Sequence, residues 1–114
     1  IAPCRMADTR SGGGFPLAAG EVREFPVVGS GCNVPAAAQA AALNVTVTQP
    51  SAQGFVTVFP SGAEVPGSQT AAFSSGRTRA TAATILIGNG GAVSVYNGSA
   101  GTVHVILDVS GAFQ

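Results

Sequence analysis

Apolar residues recur at every second position along most of this chain, and that period decides which folds are open to it. In Leu43-Asn44-Val45-Thr46-Val47-Thr48 apolar and polar residues alternate strictly. Successive side chains of an extended strand point to opposite faces, so such a segment buries one face and shows the other to water. Ala92-Val93-Ser94-Val95-Tyr96 alternates in the same way. Val103, Val105, Leu107 and Val109 form one face of a longer segment, with His104, Ile106 and Asp108 on the other. Phe55-Val56-Thr57-Val58-Phe59 is apolar on both faces apart from Thr57. Weaker strands are expected over Cys4–Thr9, Val22–Val28, Thr70–Phe73 and Ala80–Ile87.

Turn residues punctuate these segments. Gly29-Ser30-Gly31, Gln49-Pro50-Ser51, Pro60-Ser61-Gly62, Pro66-Gly67, Ser75-Gly76 and Gly88-Asn89-Gly90-Gly91 recur at the spacing of roughly 8–12 residues that a sandwich or barrel requires. Asn97-Gly98, lying between two strands, predicts a tight hairpin, because the primed turns need positive φ. The Ala-rich stretch Pro35–Ala42 is the one place where a short helix is expected, about one turn near Pro35–Ala40, although its end also reads as strand running into Leu43. The expected class is all-β: a two-layer antiparallel β-sandwich, jelly-roll-like, of about eight strands, forming one domain over residues 1–114.

Charge is scarce. Only 9 % of the 114 residues are charged, against about 25 % in an average domain, and there is no Lys. Arg5, Arg10, Arg23, Arg77 and Arg79 are balanced by five acids. A neutral chain of this kind has no electrostatic footprint for nucleic acid or for an anionic membrane. The apolar runs are too short and too often broken by Gly, Pro, Thr or Asn to insert in a membrane as a helix. The chain opens on Ile1 with neither an initiator Met nor a signal peptide, so it is expected to be a mature protein or an excised domain. Cys4 and Cys32 are the only cysteines. An even count in a small, Lys-free chain rich in Thr, Ser and Gly favours a Cys4–Cys32 disulfide and an oxidising compartment, the alternative being two buried thiols.

The residues that carry chemistry are mostly missing. His104 is the sole His, and Asp108 lies four residues on, about 13 Å away along a strand and out of hydrogen-bond reach. No G-x-S-x-G elbow exists for a nucleophilic Ser. The acids Asp8, Glu21, Glu24, Glu64 and Asp108 form no recognisable glycosidase pair and no calcium loop, and zinc has no Cys/His cluster to hold it. No cofactor is expected. Asp8, Arg10 and Asp108 read as ion-pairing residues that tie down a chain end, with a ligand-binding Asp8/Arg10 pair as the sharper alternative. Asn44-Val45-Thr46 and Asn97-Gly98-Ser99 match the glycosylation sequon.

Four stretches taken together resemble an uncharacterised family of secreted bacterial β-domains: Cys4-Arg5-Met6-Ala7-Asp8-Thr9-Arg10, Leu43–Thr48, Gly54-Phe55-Val56-Thr57-Val58-Phe59-Pro60-Ser61-Gly62, and Val93–Ser99 running on to Asp108-Val109-Ser110-Gly111-Ala112-Phe113. The family pattern ends in Gly-Tyr-Phe, where this chain has Gly111-Ala112-Phe113. The resemblance covers nearly the whole chain. It implies secretion, or display on a bacterial cell surface, in tandem arrays or beside hydrolases, and it carries over no catalytic residue.

Two function classes compete. Mean hydropathy is +0.38, and several strands carry apolar residues on both faces, whereas a sandwich core uses only the inward ones. The first expectation is therefore a non-enzymatic, extracellular structural or adhesive module whose partners are copies of itself, as a filament subunit or tandem array. Val56, Val58, Ile106 and Phe113 are the expected contact residues. The second is a carbohydrate-binding or spacer module of a secreted bacterial hydrolase, with cell-surface polysaccharide as partner. The absence of Trp and the presence of one Tyr, Tyr96, count against it.

Overall fold

Strict alternation in Leu43–Thr48 gives the central strand of one sheet, and the alternation in Ala92–Tyr96 gives a central strand of the other. The computed structural model describes residues 3–11 and 14–114. It contains eight strands: β1 (Cys4–Asp8), β2 (Val22–Pro26), β3 (Ala40–Thr48), β4 (Gly54–Pro60), β5 (Ala71–Phe73), β6 (Arg79–Leu86), β7 (Ala92–Asn97) and β8 (His104–Phe113). They form two four-stranded antiparallel sheets, ordered β1-β8-β3-β6 and β2-β7-β4-β5.

This order is that of a jelly roll. The hydrogen-bonded pairs β4·β5, β3·β6, β2·β7 and β1·β8 trace one long antiparallel ribbon with its tip between β4 and β5. Rolling the ribbon places successive pairs in alternate sheets. The inward residues Val45, Val47, Val56, Val93, Val95, Val105 and Leu107 meet between the layers and are fully buried. The Cys4–Cys32 disulfide joins β1 to the loop that leads towards β3.

Two local expectations are corrected. Pro35–Ala42 holds no helix. Its hydrogen-bonded element is a turn closed by Ala38 N–H on the Pro35 carbonyl (3.0 Å), and β3 has begun by Ala40, whose residues pair with both β6 and β8. Two flanking strands outweigh the helix preference of a few alanines. Asn97-Gly98 is not a hairpin turn either. β7 and β8 belong to different sheets, and residues 98–103 carry the chain across the sandwich. The Asn97 side chain is consumed in organising that crossing. Its Nδ2 donates to the carbonyls of Leu17, Ala18 and Gly101, and its Oδ1 accepts from the Ser99 backbone N–H and Oγ–H.

Candidate interaction surface

Three of the four residues expected to face outward for self-association are buried, two of them in the core. Val56 and Val58 belong to the core between the sheets. Phe55, Thr57 and Phe59 take the opposite face of β4, and the 61–70 segment is drawn across that face by a hydrogen bond from Thr57 Oγ1 to the Ser68 carbonyl (2.7 Å). Both faces of β4 are therefore covered, which accounts for its apolar composition. Ile106 sits on the outer face of the β1-β8-β3-β6 sheet and is nevertheless buried, flanked in register by Asp8 on β1 and Thr46 on β3. Only Phe113 is exposed, by 52 %.

Around Ile106 the charges form a chain. Arg10 grips Asp8 through both carboxylate oxygens (Nε to Oδ1 and Nη2 to Oδ2, each 3.0 Å), and its backbone N–H adds a third bond to Oδ1. Arg10 does not reach Asp108. Arg5 does, with Nε 3.1 Å from Asp108 Oδ1 and Nη1 3.6 Å from Asp8 Oδ2. Arg5 is thus the bridging residue, a role visible only once the β1·β8 register sets it opposite Asp108. The Arg10 hydrogen bond, helped by its charge and that of Arg5, holds the Asp8 carboxyl at about 2 despite some desolvation. Each of these groups has an ion-pair partner within the chain. His104 is equally engaged, its Nδ1 lying 2.8 Å from Thr9 Oγ1. Among the described residues no three His, Cys, Asp or Glu side chains come together as a metal site.

The edges of the sheets differ sharply. β1 is bulged between Arg5 and Ala7 and carries Arg5 and Asp8. β2 holds Arg23 and Glu24 and ends in Pro26, and β5 is three residues long. Bulges, charges, proline and short length are the ordinary protections of an edge strand. β6 has none of them beyond Arg79 at its start: Ala80 to Leu86 is uncharged and free of proline. Its inward residues Thr81, Ala83 and Ile85 are only half-buried, although their partners Val45, Leu43 and Ala41 on β3 are buried. On the outer face Leu86 (64 % exposed), Ala40 and Phe113 stand in one register row across three strands. Phe113 is among the contact residues expected from the sequence and Leu86 is not. Only the pairing, which makes β6 an edge strand, brings the two into one row.

A second surface is a shallow groove of ≈ 380 Å³ beside β4 and β5, lined by Gln53, Phe55, Gln69, Ala72 and Gly98 among others. Gly98 lies so close over the Phe55 ring that a Cβ there would stand 2.3 Å from Cζ. Tyr96 meets Phe55 edge-on at 6.0 Å between ring centres. Compared with family models, curated proteins and solved structures, the chain matches none.

Proposed function

We propose that this domain is a non-enzymatic structural module of the bacterial cell exterior that works by self-association, as the subunit of a filament or of a tandem surface array. One observation carries the reading: the β6 edge is long and, from Ala80 onward, uncharged and unprotected, whereas the other three edges are bulged, charged, proline-ended or very short. An open edge of this kind is a template for a further strand. The near absence of charge leaves little repulsion between copies. The disulfide fits an oxidising compartment, no helix is long and apolar enough to cross a membrane, and the resemblance to secreted bacterial β-domains points to the same location.

Sedimentation velocity over a concentration series, with negative-stain microscopy of the same samples, tests the proposal. Association that grows with concentration is the expected result. A strictly monomeric species at millimolar concentration, with no fibres or arrays, would remove it. The second reading, a carbohydrate-binding module of a secreted hydrolase, is favoured by the groove, where the Phe55 ring lies beside two amides, Gln53 and Gln69, suited to sugar hydroxyls.

A further inference from the structure

We infer that the partner of the β6 edge is the β6 edge of a second copy, paired antiparallel about a two-fold axis through Ala83. The inference rests on the self-association reading and specifies its contact. Ile87 N–H donates to the Gln39 carbonyl (2.8 Å) in the register that pairs Ala40 with Leu86. The odd-numbered residues of β6 therefore turn their backbone groups towards β3, while Ala80, Ala82, Thr84 and Leu86 turn theirs outward. Among the described residues, no backbone or side-chain group bonds to that outer side.

A strand added there must pair its own outward-facing residues with these four. Only one two-fold register uses all of them on both copies: Ala80 opposite Leu86, and Ala82 opposite Thr84, each pair occurring twice. Shifting the axis by one residue either way loses a hydrogen-bonded pair at one end, because Thr78 and Gly88 lie outside the strand.

Side chains fit the same register. On the outer face the largest residue, Leu86, meets the smallest, Ala80. On the inner face Ile85 meets Thr81, and Ala83 meets itself, covering the residues that β6 leaves half-exposed. No like charges meet. Arg79 of one copy falls beside Ile87 of the other, so the two Arg79 residues stand about 26 Å apart along the ladder. Pairing β6 instead with the β1 edge of another copy would set a strand of unbroken register against one that is bulged at Arg5–Ala7 and bears the Arg5–Asp8 charges. The two-fold pair is an isologous contact and closes at two copies, joining two sandwiches through one eight-stranded sheet. Growth beyond the pair then needs covalent tandem linkage or another face, and paired edges would cross-link tandem arrays side to side.

Cysteine cross-linking tests the register. Ala83 at the axis is a non-hydrogen-bonded pair, with Cα atoms about 4.5 Å apart. Under mild oxidation Ala83→Cys should form a covalent dimer at least tenfold faster than the exposed control Ser75→Cys. Thr81→Cys mixed with Ile85→Cys should cross-link, while Thr81→Cys alone should not. Thr84→Pro removes an outward N–H that β3 does not use, and should weaken association about tenfold or more. Ala82→Lys, which brings two ammonium groups onto one diagonal of the new ladder, keeps the test open if the proline variant fails to fold. If the wild-type chain associates but Ala83→Cys cross-links no faster than the control and Ala82→Lys associates as wild type, the contact lies elsewhere and this inference fails alone. A monomeric wild-type chain overturns both the inference and the reading beneath it.

Discussion

Asn97 and Leu17, 80 residues apart in sequence, are joined by a hydrogen bond from the Asn97 amide to the Leu17 carbonyl (3.2 Å), and both side chains are fully buried. The same amide also bonds Ala18 and Gly101. One side chain thus satisfies the carbonyls of two irregular segments where the chain crosses between sheets. Asn97→Ala removes one donor from each of these carbonyls, which keep the Val103 N–H, the Glu21 N–H and the Ser99 Oγ–H respectively, takes the acceptor from the Ser99 N–H and leaves a small cavity, and should cost about 1–3 kcal/mol. Asn97→Asp keeps the shape, loses both donors and sets a carboxylate against carbonyl oxygens, so it should cost at least as much. Urea denaturation checks both, and an unchanged midpoint in either variant would contradict this role.

The disulfide closes a segment with a sequence separation of 28 between β1 and the loop before β3. In the chain-entropy account a loop of that length contributes roughly 3–4 kcal/mol. The Cys4→Ala/Cys32→Ala double variant should lose that much against the oxidised chain, by denaturant titration without reductant. Since β1 is an edge strand, its amides should lose hydrogen-exchange protection before those of β3.

Acid should destabilise the fold through two carboxylates. Asp8 is held at about 2, below its ordinary 3.8, chiefly by the Arg10 hydrogen bond. Glu21 is lowered as well, first by its hydrogen bond from Arg23, with help from the Ala18 N–H and against partial desolvation. The charged forms are favoured in the folded chain. Their contribution is therefore complete only above about pH 5, beyond the ordinary 3.8 of Asp8 and 4.5 of Glu21, and is lost as pH falls towards 2. Melting temperature measured from pH 5 to pH 2 should fall through that window. Asp8→Asn should flatten the decline and lower the plateau above it, and an unaltered profile would show that the Asp8–Arg10 grip is immaterial.

Val56 and Leu86 invert what composition alone suggests. A strand apolar on both faces implies a spare face for partners, yet Val56 is fully buried and Leu86 is 64 % exposed. Val56→Ala should cost about 2–3 kcal/mol in folding. Leu86→Ser should leave monomer stability within about 0.5 kcal/mol and weaken association. The reverse pattern would place the contact on β4.

Much of the fold was legible because alternation is local. Leu43–Thr48, Ala92–Tyr96 and Val103–Val109 each declare their inward face without knowledge of their neighbours, and the paired cysteines needed only counting. What stayed hidden depends on partners distant in sequence. Nothing near Phe55–Phe59 tells that the 61–70 segment covers its second face, and nothing near Asn97 tells that its amide serves Leu17 rather than a tight turn. Arg5 gains Asp108, and Leu86 joins Ala40 and Phe113, only through strand order and register. The candidate surface was the least legible part, since an edge is defined by the strand that is absent beside it.

The groove gives a direct trial of the carbohydrate reading. Tyr96 is the chain's one Tyr and there is no Trp, so intrinsic emission comes from a ring in edge contact with Phe55, which lines the groove. A sugar seated against Phe55 and bonded to Gln53 and Gln69 should change tyrosine emission saturably. Phe55→Ala should abolish that response, and Gln69→Ala should weaken binding by roughly tenfold, the worth of one or two hydrogen bonds. Titration with fragments of neutral and acidic surface polysaccharides supplies the measurement. Emission that stays flat to millimolar sugar would dismiss the groove as a glycan site, leaving the self-association proposal to stand or fall by sedimentation.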